Sequence, residues 1–246
     1  TSTSDSAVVV NAGKDSLAGN ADGGDVIIAS GVGITTGAAG RATLYSGSTA
    51  DSTGMAGLIG TGSGHFRYNS DETAANYAAA LGEGIYGIYR EQPTLTITAD
   101  NKTVTYGTEP SLSTTVSGLR NGDTDGQAIS QAVTVTVGGS VSSSGQYTAT
   151  NHTLTAADAA GGLGYNIAYA TGTLTVNKKA LTVTALADDK TYNGTRTAAV
   201  TLGDDRVSGD KLTLSNTEAL FDTKNVGTDK VVSVSGIGVS GGAAGK

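Results

Sequence analysis

Polar and apolar residues alternate along several short stretches of this chain, most clearly on either side of a short polar joint. In Thr173–Val176 and in Ala180–Ala185, threonine alternates with leucine, valine or alanine at every second position. Successive side chains of a strand point to opposite faces of a sheet, so this alternation predicts half-buried β-strands. Because only Asn177-Lys178-Lys179 separates the two strands, we expect two β-domains joined end to end with almost no linker.

The first 48 residues combine short apolar stretches with glycine-rich turns such as Gly19-Asn20-Ala21-Asp22-Gly23-Gly24. Short strands with sharp turns at short intervals are typical of a parallel β-helix, in which each coil packs on its neighbour. The pattern therefore predicts that residues 1–48 are the last coils of a right-handed parallel β-helix. An antiparallel glycine-rich sheet is the alternative that this pattern leaves open.

Residues 49–92 differ in character and predict a capping segment with a short helix at about residues 70–82. Ser70 suits the N-cap, Asp71 and Glu72 suit the positive end of a helix, and Gly82 suits its end. We expect this helix to cover the open edge of the last β-helix coil.

Residues 93–246 predict small β-domains in tandem. Pro93 opens a run of about seven short alternating strands, a density that indicates a β-sandwich-like or Ig-like domain over residues 93–177. The pattern then begins again, because residues 188–195 (DDKTYNGT) repeat the order of residues 100–108 (DNKTVTYGT). The sequence therefore predicts a second domain over residues 178–246, which lacks its final strands, and an all-β fold for the whole chain.

Composition narrows the classes of function. The net charge is −7, which argues against nucleic-acid binding and against an anionic membrane surface, since both need clustered lysine and arginine. The chain has no cysteine, so it is not a disulfide scaffold, and no apolar run is long enough to insert into a membrane. It begins at Thr1 and shows no signal peptide, and we expect it to be an internal segment of a longer protein.

No arrangement of residues predicts an enzyme. His65 and His152 lie in different predicted domains, there is no thiol nucleophile, and no Gly-x-Ser-x-Gly elbow follows a strand. No cofactor is predicted, and calcium is the alternative that remains open, because paired aspartates supply the oxygen ligands that it prefers. The candidate calcium ligands are Asp188, Asp189, Asp204, Asp205 and Asp210.

Two tyrosines are the candidate binding residues. Tyr165 and Tyr169 lie four residues apart in one predicted strand and should share a face of the sheet. An exposed pair of this kind could stack on the sugar rings of a glycan. The other interpretation is that both are core residues, which the scarcity of aromatic residues in this chain favours.

Several short motifs carry a family resemblance. Residues 93–177, with Val104-Thr105-Tyr106-Gly107 and Gly172-Thr173-Leu174-Thr175-Val176, resemble the MBG ("mostly bacterial Ig-like") domains. Residues 180–246, with Lys190-Thr191-Tyr192-Asn193-Gly194-Thr195 and Lys224-Asn225-Val226-Gly227, resemble a YDG domain in which Asn193 replaces the aspartate of the motif. Residues 1–92 look like the end of the β-helix in large two-partner-secreted exoproteins of the filamentous haemagglutinin type.

This resemblance implies an extracellular bacterial adhesin at the cell surface or in the biofilm matrix. It implies a structural or stalk segment that mediates cell–cell or cell–surface adhesion, and secretion through the outer-membrane transporter of the two-partner pathway. The alternative is a carbohydrate-binding module that recognises an exopolysaccharide or a host glycan, with a polysaccharide or a cell-surface receptor as partner. A β-helix lyase or hydrolase is disfavoured. Such an enzyme needs aspartate, lysine and arginine clustered along one face of the β-helix, and the charged side chains within positions 1–48 are scattered.

Overall fold

The computed structural model describes residues 8–242, which fold into short β-strands with two helices of four or five residues. The predicted β-helix coils begin, and the predicted second β-domain ends, outside the described residues, at residues 1–7 and 243–246. In chain order the elements are β1 (Val8–Asn11), β2 (Arg41–Ser46), α1 (Met55–Ile59), β3 (Phe66–Arg67), β4 (Gly84–Tyr89), β5 (Thr94–Ala99), β6 (Lys102–Thr105), β7 (Thr114–Ser117), α2 (Asp125–Ala128), β8 (Ile129–Gln131), β9 (Thr134–Val137), β10 (Asn151–Ala157), β11 (Ala160–Gly161), β12 (Asn166–Ala170), β13 (Gly172–Asn177), β14 (Val183–Ala187), β15 (Val200–Asp204), β16 (Thr213–Ser215), β17 (Glu218–Phe221), β18 (Val232–Ser235) and β19 (Gly238–Ser240). The fold is all-β, as the alternation predicts.

The chain forms two compact units whose residue ranges interleave. Of the described residues, the first unit contains 8–100, 112–136 and 154–172, and the second contains 101–111, 137–153 and 173–242. Residues 93–177, predicted to be one domain, are therefore divided between the two units.

The N-terminal sheet of the first unit has the order β1-β2-β4-β3, and every pairing in it is parallel. Its inward residues include Leu44, Phe66 and Ile88, which are buried. An antiparallel glycine-rich sheet, the alternative for this region, is therefore wrong for these strands. A β-helix needs parallel pairing of this kind, and the β-helix itself stays a prediction.

The helix predicted at about residues 70–82 is wrong, because these residues form an irregular segment and the helix of this region is α1. The Asp71 carboxylate accepts hydrogen bonds from the backbone N–H groups of Thr73 and Ala74 and of Ala18. The Ala78 N–H donates to the carbonyl of Gly162. Side chains that bind nearby backbone groups compete with helical hydrogen bonds, and here they tie the segment to other parts of the first unit.

The same unit contains a three-stranded sheet of order β12-β5-β7. Strand β5 pairs in parallel with β12 and antiparallel with β7. The core of the unit is continuous, because Leu95 and Tyr165 of this region share a buried cluster with Leu44, Phe66 and Tyr68 from the N-terminal region.

The second unit has fewer buried residues and smaller sheets. Strand β6 pairs in parallel with β13. The last third of the chain forms three antiparallel pairs, β14 with β15, β16 with β19, and β17 with β18. These small sheets agree with the predicted Ig-like or sandwich-like class.

Candidate functional site

The structure separates the two tyrosines predicted to share an exposed face. Tyr165 directly precedes β12 and is only 5% exposed, whereas Tyr169 lies within β12 and is 43% exposed. The Tyr169 hydroxyl accepts a hydrogen bond from the Ala159 N–H at 2.9 Å. An exposed pair is therefore wrong, because Tyr165 cannot offer its ring to a glycan while it is buried. A glycan contact at Tyr169 stays a prediction.

Tyr165 belongs to a buried cluster with Tyr68 and Asp123. Both tyrosine hydroxyls donate to the same oxygen, Asp123 Oδ2, at 2.7 Å from Tyr68 and 2.8 Å from Tyr165. The two rings contact each other with their centroids 4.5 Å apart. The Tyr165 hydroxyl also accepts the N–H of Arg120 at 2.8 Å. The cluster therefore ties three segments of the first unit together around one carboxyl group.

The charge state of this cluster is set by its burial. Burial raises the pKa of Asp123, and the hydrogen bonds from the two tyrosines and the charge of Arg67 offset only part of that effect. Burial also raises the pKa of Tyr68 and of Tyr165, so both hydroxyls stay protonated and act as donors. The other carboxyl oxygen, Asp123 Oδ1, is buried without a hydrogen-bond partner. The geometry suits a structural junction and does not present a reactive group to solvent.

Asp123 is a residue that sequence reasoning missed. It follows Asn121-Gly122, and this Asn-Gly-Asp order is typical of a solvent-exposed turn. The turn does form, with Asn121 and Gly122 at positive φ, but it points Asp123 into the core of the first unit. No local signal distinguishes such an aspartate from an exposed one, because the burying residue Tyr68 is more than fifty positions away.

Two buried arginines of the first unit also have structural partners. Arg90 donates to the carbonyls of Ala12 and Ser16 and to the side chain of Asn11. Arg67 donates to the carbonyls of three residues and lies 5.4 Å from each of the Tyr77 and Tyr86 ring centroids. Since these donors already have acceptors within the unit, the two arginines hold loops rather than bind an anion.

The second unit contains an open groove at the motif that resembles YDG domains. Its most exposed aromatic residue is Tyr192, which is 62% exposed. The Lys190 Nζ donates to the backbone carbonyl of Thr197 at 2.7 Å and so fixes one wall of the groove. Aromatic, amide and charged side chains line this groove together, among them Tyr192, Phe221, Asn193, Asn225, Asp229 and Lys224.

The two histidines have separate surroundings, in the first and in the second unit. His65 stacks on Tyr86 with ring centroids 4.4 Å apart. The ring nitrogens of His152 lie 3.0 Å and 2.8 Å from the carbonyl oxygens of Gly138 and Thr148. Both rings are therefore held by packing and by backbone carbonyls.

The candidate calcium ligands of the second unit do not converge. Asp204 pairs with Arg206, Asp205 accepts from Lys179 and from the Thr182 N–H, and Asp210 accepts the Tyr106 hydroxyl at 2.6 Å. Asp188 and Asp189 lie in the loop that follows β14. Across residues 8–242, no three carboxylate, thiol or imidazole side chains come together as a metal site.

Comparison with known families gives two matches. Residues 95–175 match the model of the MBG domain (YGX type). Residues 177–246 match the model of the YDG domain. These matches confirm the resemblance of both segments, and together they fit part of a larger surface or adhesin-like protein. Neither the curated proteins nor the solved structures include a match to this chain.

The Tyr-Gly pair of the MBG segment has a structural role. The Tyr106 hydroxyl contacts Ser142 and Ser144 as well as Asp210, all in the second unit. Gly107 has a φ of +86°, a conformation that residues with a side chain rarely adopt.

Among residues 8–242, no helix has the length and apolar character needed to cross a membrane.

Proposed function

We propose that this chain is a structural segment of a secreted bacterial surface or biofilm-matrix adhesin, in which it mediates cell–cell or cell–surface adhesion. The observation that carries the proposal is the pair of family matches at residues 95–175 and 177–246, which follow each other with one residue between them. Tandem β-domains joined so closely have little linker freedom, which suits a segment that holds a binding region away from the cell.

The contacts within the two units support a structural role. The buried polar side chains of the first unit, Asp123 and Arg90 among them, bind groups of the same unit. In the second unit, Asp210 holds the tyrosine of the Tyr-Gly pair. These polar groups therefore stabilise the fold. The proposal includes extracellular localisation and export by the outer-membrane transporter of the two-partner pathway.

A replacement experiment in the producing bacterium tests the structural role. One strain lacks residues 93–246 of the protein, and another carries an unrelated tandem Ig-like segment of the same length in their place. We expect the deletion to reduce attachment and aggregation and the replacement to restore them, because a spacer depends on length and stiffness rather than on side-chain identity. Full attachment of the deletion strain would refute the proposal.

A carbohydrate-binding module is the second candidate, and the groove around Tyr192 favours it. An exposed tyrosine offers an apolar ring face and a hydroxyl, and the amide and carboxylate groups beside it can hydrogen-bond to sugar hydroxyls. A glycan and exopolysaccharide binding screen tests it with the intact chain, Tyr192→Ala and Tyr169→Ala. Saturable binding that is lost in Tyr192→Ala, together with failure of the unrelated segment to restore attachment, would favour recognition over the structural role.

A further inference from the structure

The first and last strands of the MBG segment are neighbours and run in the same direction. In the first unit, β5 pairs in parallel with β12 from Thr94↔Asn166 to Thr98↔Ala170. In the second unit, β6 pairs in parallel with β13 from Lys102↔Leu174 to Thr105↔Asn177. The offset in sequence between partners is the same in both ladders, so the strands that open the segment stay in register with the strands that close it.

Backbone and side-chain hydrogen bonds extend both ladders beyond the paired residues. The Asn166 N–H donates to the carbonyl of Pro93 at 3.0 Å, just before β5 begins. The Tyr106 N–H donates to the carbonyl of Asn177 at 2.8 Å, just after β6 ends. Near the start of β13, the Thr173 N–H donates to Oδ1 of Asn101, the residue just before β6, at 2.7 Å. Hydrogen bonds therefore run from the entry of the chain into this segment to its exit.

The direction of the strands decides how tension acts on these bonds. Tension along the chain pulls β5 towards its N-terminal end and β13 towards its C-terminal end. The pull on β5 passes along the chain to β6, and the pull on β13 passes back to β12. Within each ladder, one strand is therefore pulled towards its N-terminal end and its parallel partner towards its C-terminal end, which loads the bonds of that ladder in shear. All bonds of the ladder then share the force, and strands separate only when several bonds break together.

The closing part of the second unit shows the opposite geometry. Strand β17 begins at Glu218 and β18 ends at Ser235, and these two residues are directly paired in an antiparallel ladder. Tension that enters and leaves such a pair at the same end opens it one residue pair at a time. Tension along the chain therefore shears the ladders of the MBG segment, whereas it peels the β17–β18 pair.

We propose that the parallel pairing of the first and last strands of the MBG segment is a mechanical clamp that resists tension along the chain. The clamp rests on the proposed function only for the source of the tension. That tension arises when a surface protein is held by the cell at one end and attached to another cell or surface at the other end. Its resistance follows from strand direction and is a property of the purified chain.

The chain has no cysteine, so introduced cysteines can define the direction of force. Single-molecule pulling on the full chain compares two double variants, with Thr94→Cys in both. Asn177→Cys as the second handle loads the ladders in shear, whereas Asn166→Cys, directly opposite Thr94, peels the first ladder apart. All three positions are exposed, and circular dichroism checks that each variant folds.

We expect the shear variant to break at a force several-fold higher than the peeling variant at the same pulling speed. Unfolding should lengthen the tether by about 300 Å in shear and about 260 Å in peeling, at about 3.6 Å per extended residue and before the folded distance is subtracted. Asn101→Ala should lower the shear force and leave the force of the first peeling event unchanged, because that event opens β5 from β12 before β6 and β13 are loaded.

Equal forces in the two directions, or a lower force in shear, would overturn the clamp. The outcome is separate from the replacement experiment in cells. If replacement fails to restore attachment but the forces differ as expected, the clamp stands and the structural role of the segment in adhesion is wrong.

Discussion

Removal of one hydroxyl from Tyr165 tests whether the buried cluster stabilises the first unit. Tyr165→Phe keeps the ring and its contact with the Tyr68 ring. It removes the donor to Asp123 Oδ2 and the acceptor of the Arg120 N–H, at 2.8 Å each. Tyr169→Phe is the matched control, because it makes the same chemical change at a ring that is 43% exposed.

The expected cost follows from the two lost hydrogen bonds. A hydrogen bond to a charged or partly charged group contributes about 1.5–3 kcal/mol, and an unpaired buried donor costs about 1–3 kcal/mol. Because Arg120 is exposed, water can replace part of the acceptor that its N–H loses, and we expect Tyr165→Phe to lower the free energy of unfolding by about 2–3 kcal/mol. Tyr169→Phe should cost less than about 0.5 kcal/mol, because water can replace its partner.

Urea unfolding followed by circular dichroism measures both variants. A loss of 2–3 kcal/mol lowers the midpoint of the affected transition by about 1 M urea, at a slope of about 2–3 kcal/mol per molar. Amide exchange gives a local measure, because the Arg120 N–H should exchange faster in Tyr165→Phe and the Ala159 N–H in Tyr169→Phe. Equal losses in the two variants, or unchanged exchange at Arg120, would refute the role of the cluster.

Three further predictions concern buried groups. Burial raises the pKa of Asp123, so its contribution to stability is present below the ordinary aspartate pKa of about 3.9 and is lost as pH rises through the folded-state pKa. The urea midpoint of the first unit should therefore fall between pH 4 and pH 7, and Asp123→Asn should make this fall smaller. Arg90→Met removes the buried partner of the Glu72 carboxylate and three hydrogen bonds to half-buried acceptors, and it should cost about 3–5 kcal/mol in the same unfolding assay; a loss below about 1 kcal/mol would contradict this. Gly164→Ala places a Cβ 2.1 Å from the carbonyl oxygen of Tyr68 and should lower the melting temperature. Gly145→Ala is the control, because Gly145 also has a positive φ but has open space around it, and its melting temperature should stay well above that of Gly164→Ala. Equal melting temperatures would show that the contact at Gly164 is relieved at little cost.

Local sequence determined the β-class of this chain and several of its strands. The alternation at Thr173–Val176 lies within β13, and the one at Ala180–Ala185 overlaps β14. Period-two patterns predict strands because every second side chain meets the core, which needs no knowledge of the partner strand. The motifs of the MBG and YDG segments are equally local, so the sequence was enough to identify them.

Tertiary structure decided which polar residues are buried and which strands pair. Ser70, Asp71 and Glu72 have the order of a helix start, yet Asp71 binds Ala18 and Glu72 accepts the N–H of Asp15, partners that no local pattern contains.

The two candidate tyrosines show the same limit. Tyr165 and Tyr169 look equivalent in sequence, but the Tyr68 ring and Asp123 cover only the first of them. The parallel direction of β5 with β12, and of β6 with β13, was also beyond sequence reasoning. Alternation fixes which face of a strand is buried and leaves open the identity and the direction of its neighbour, because these depend on contacts between residues far apart in the chain.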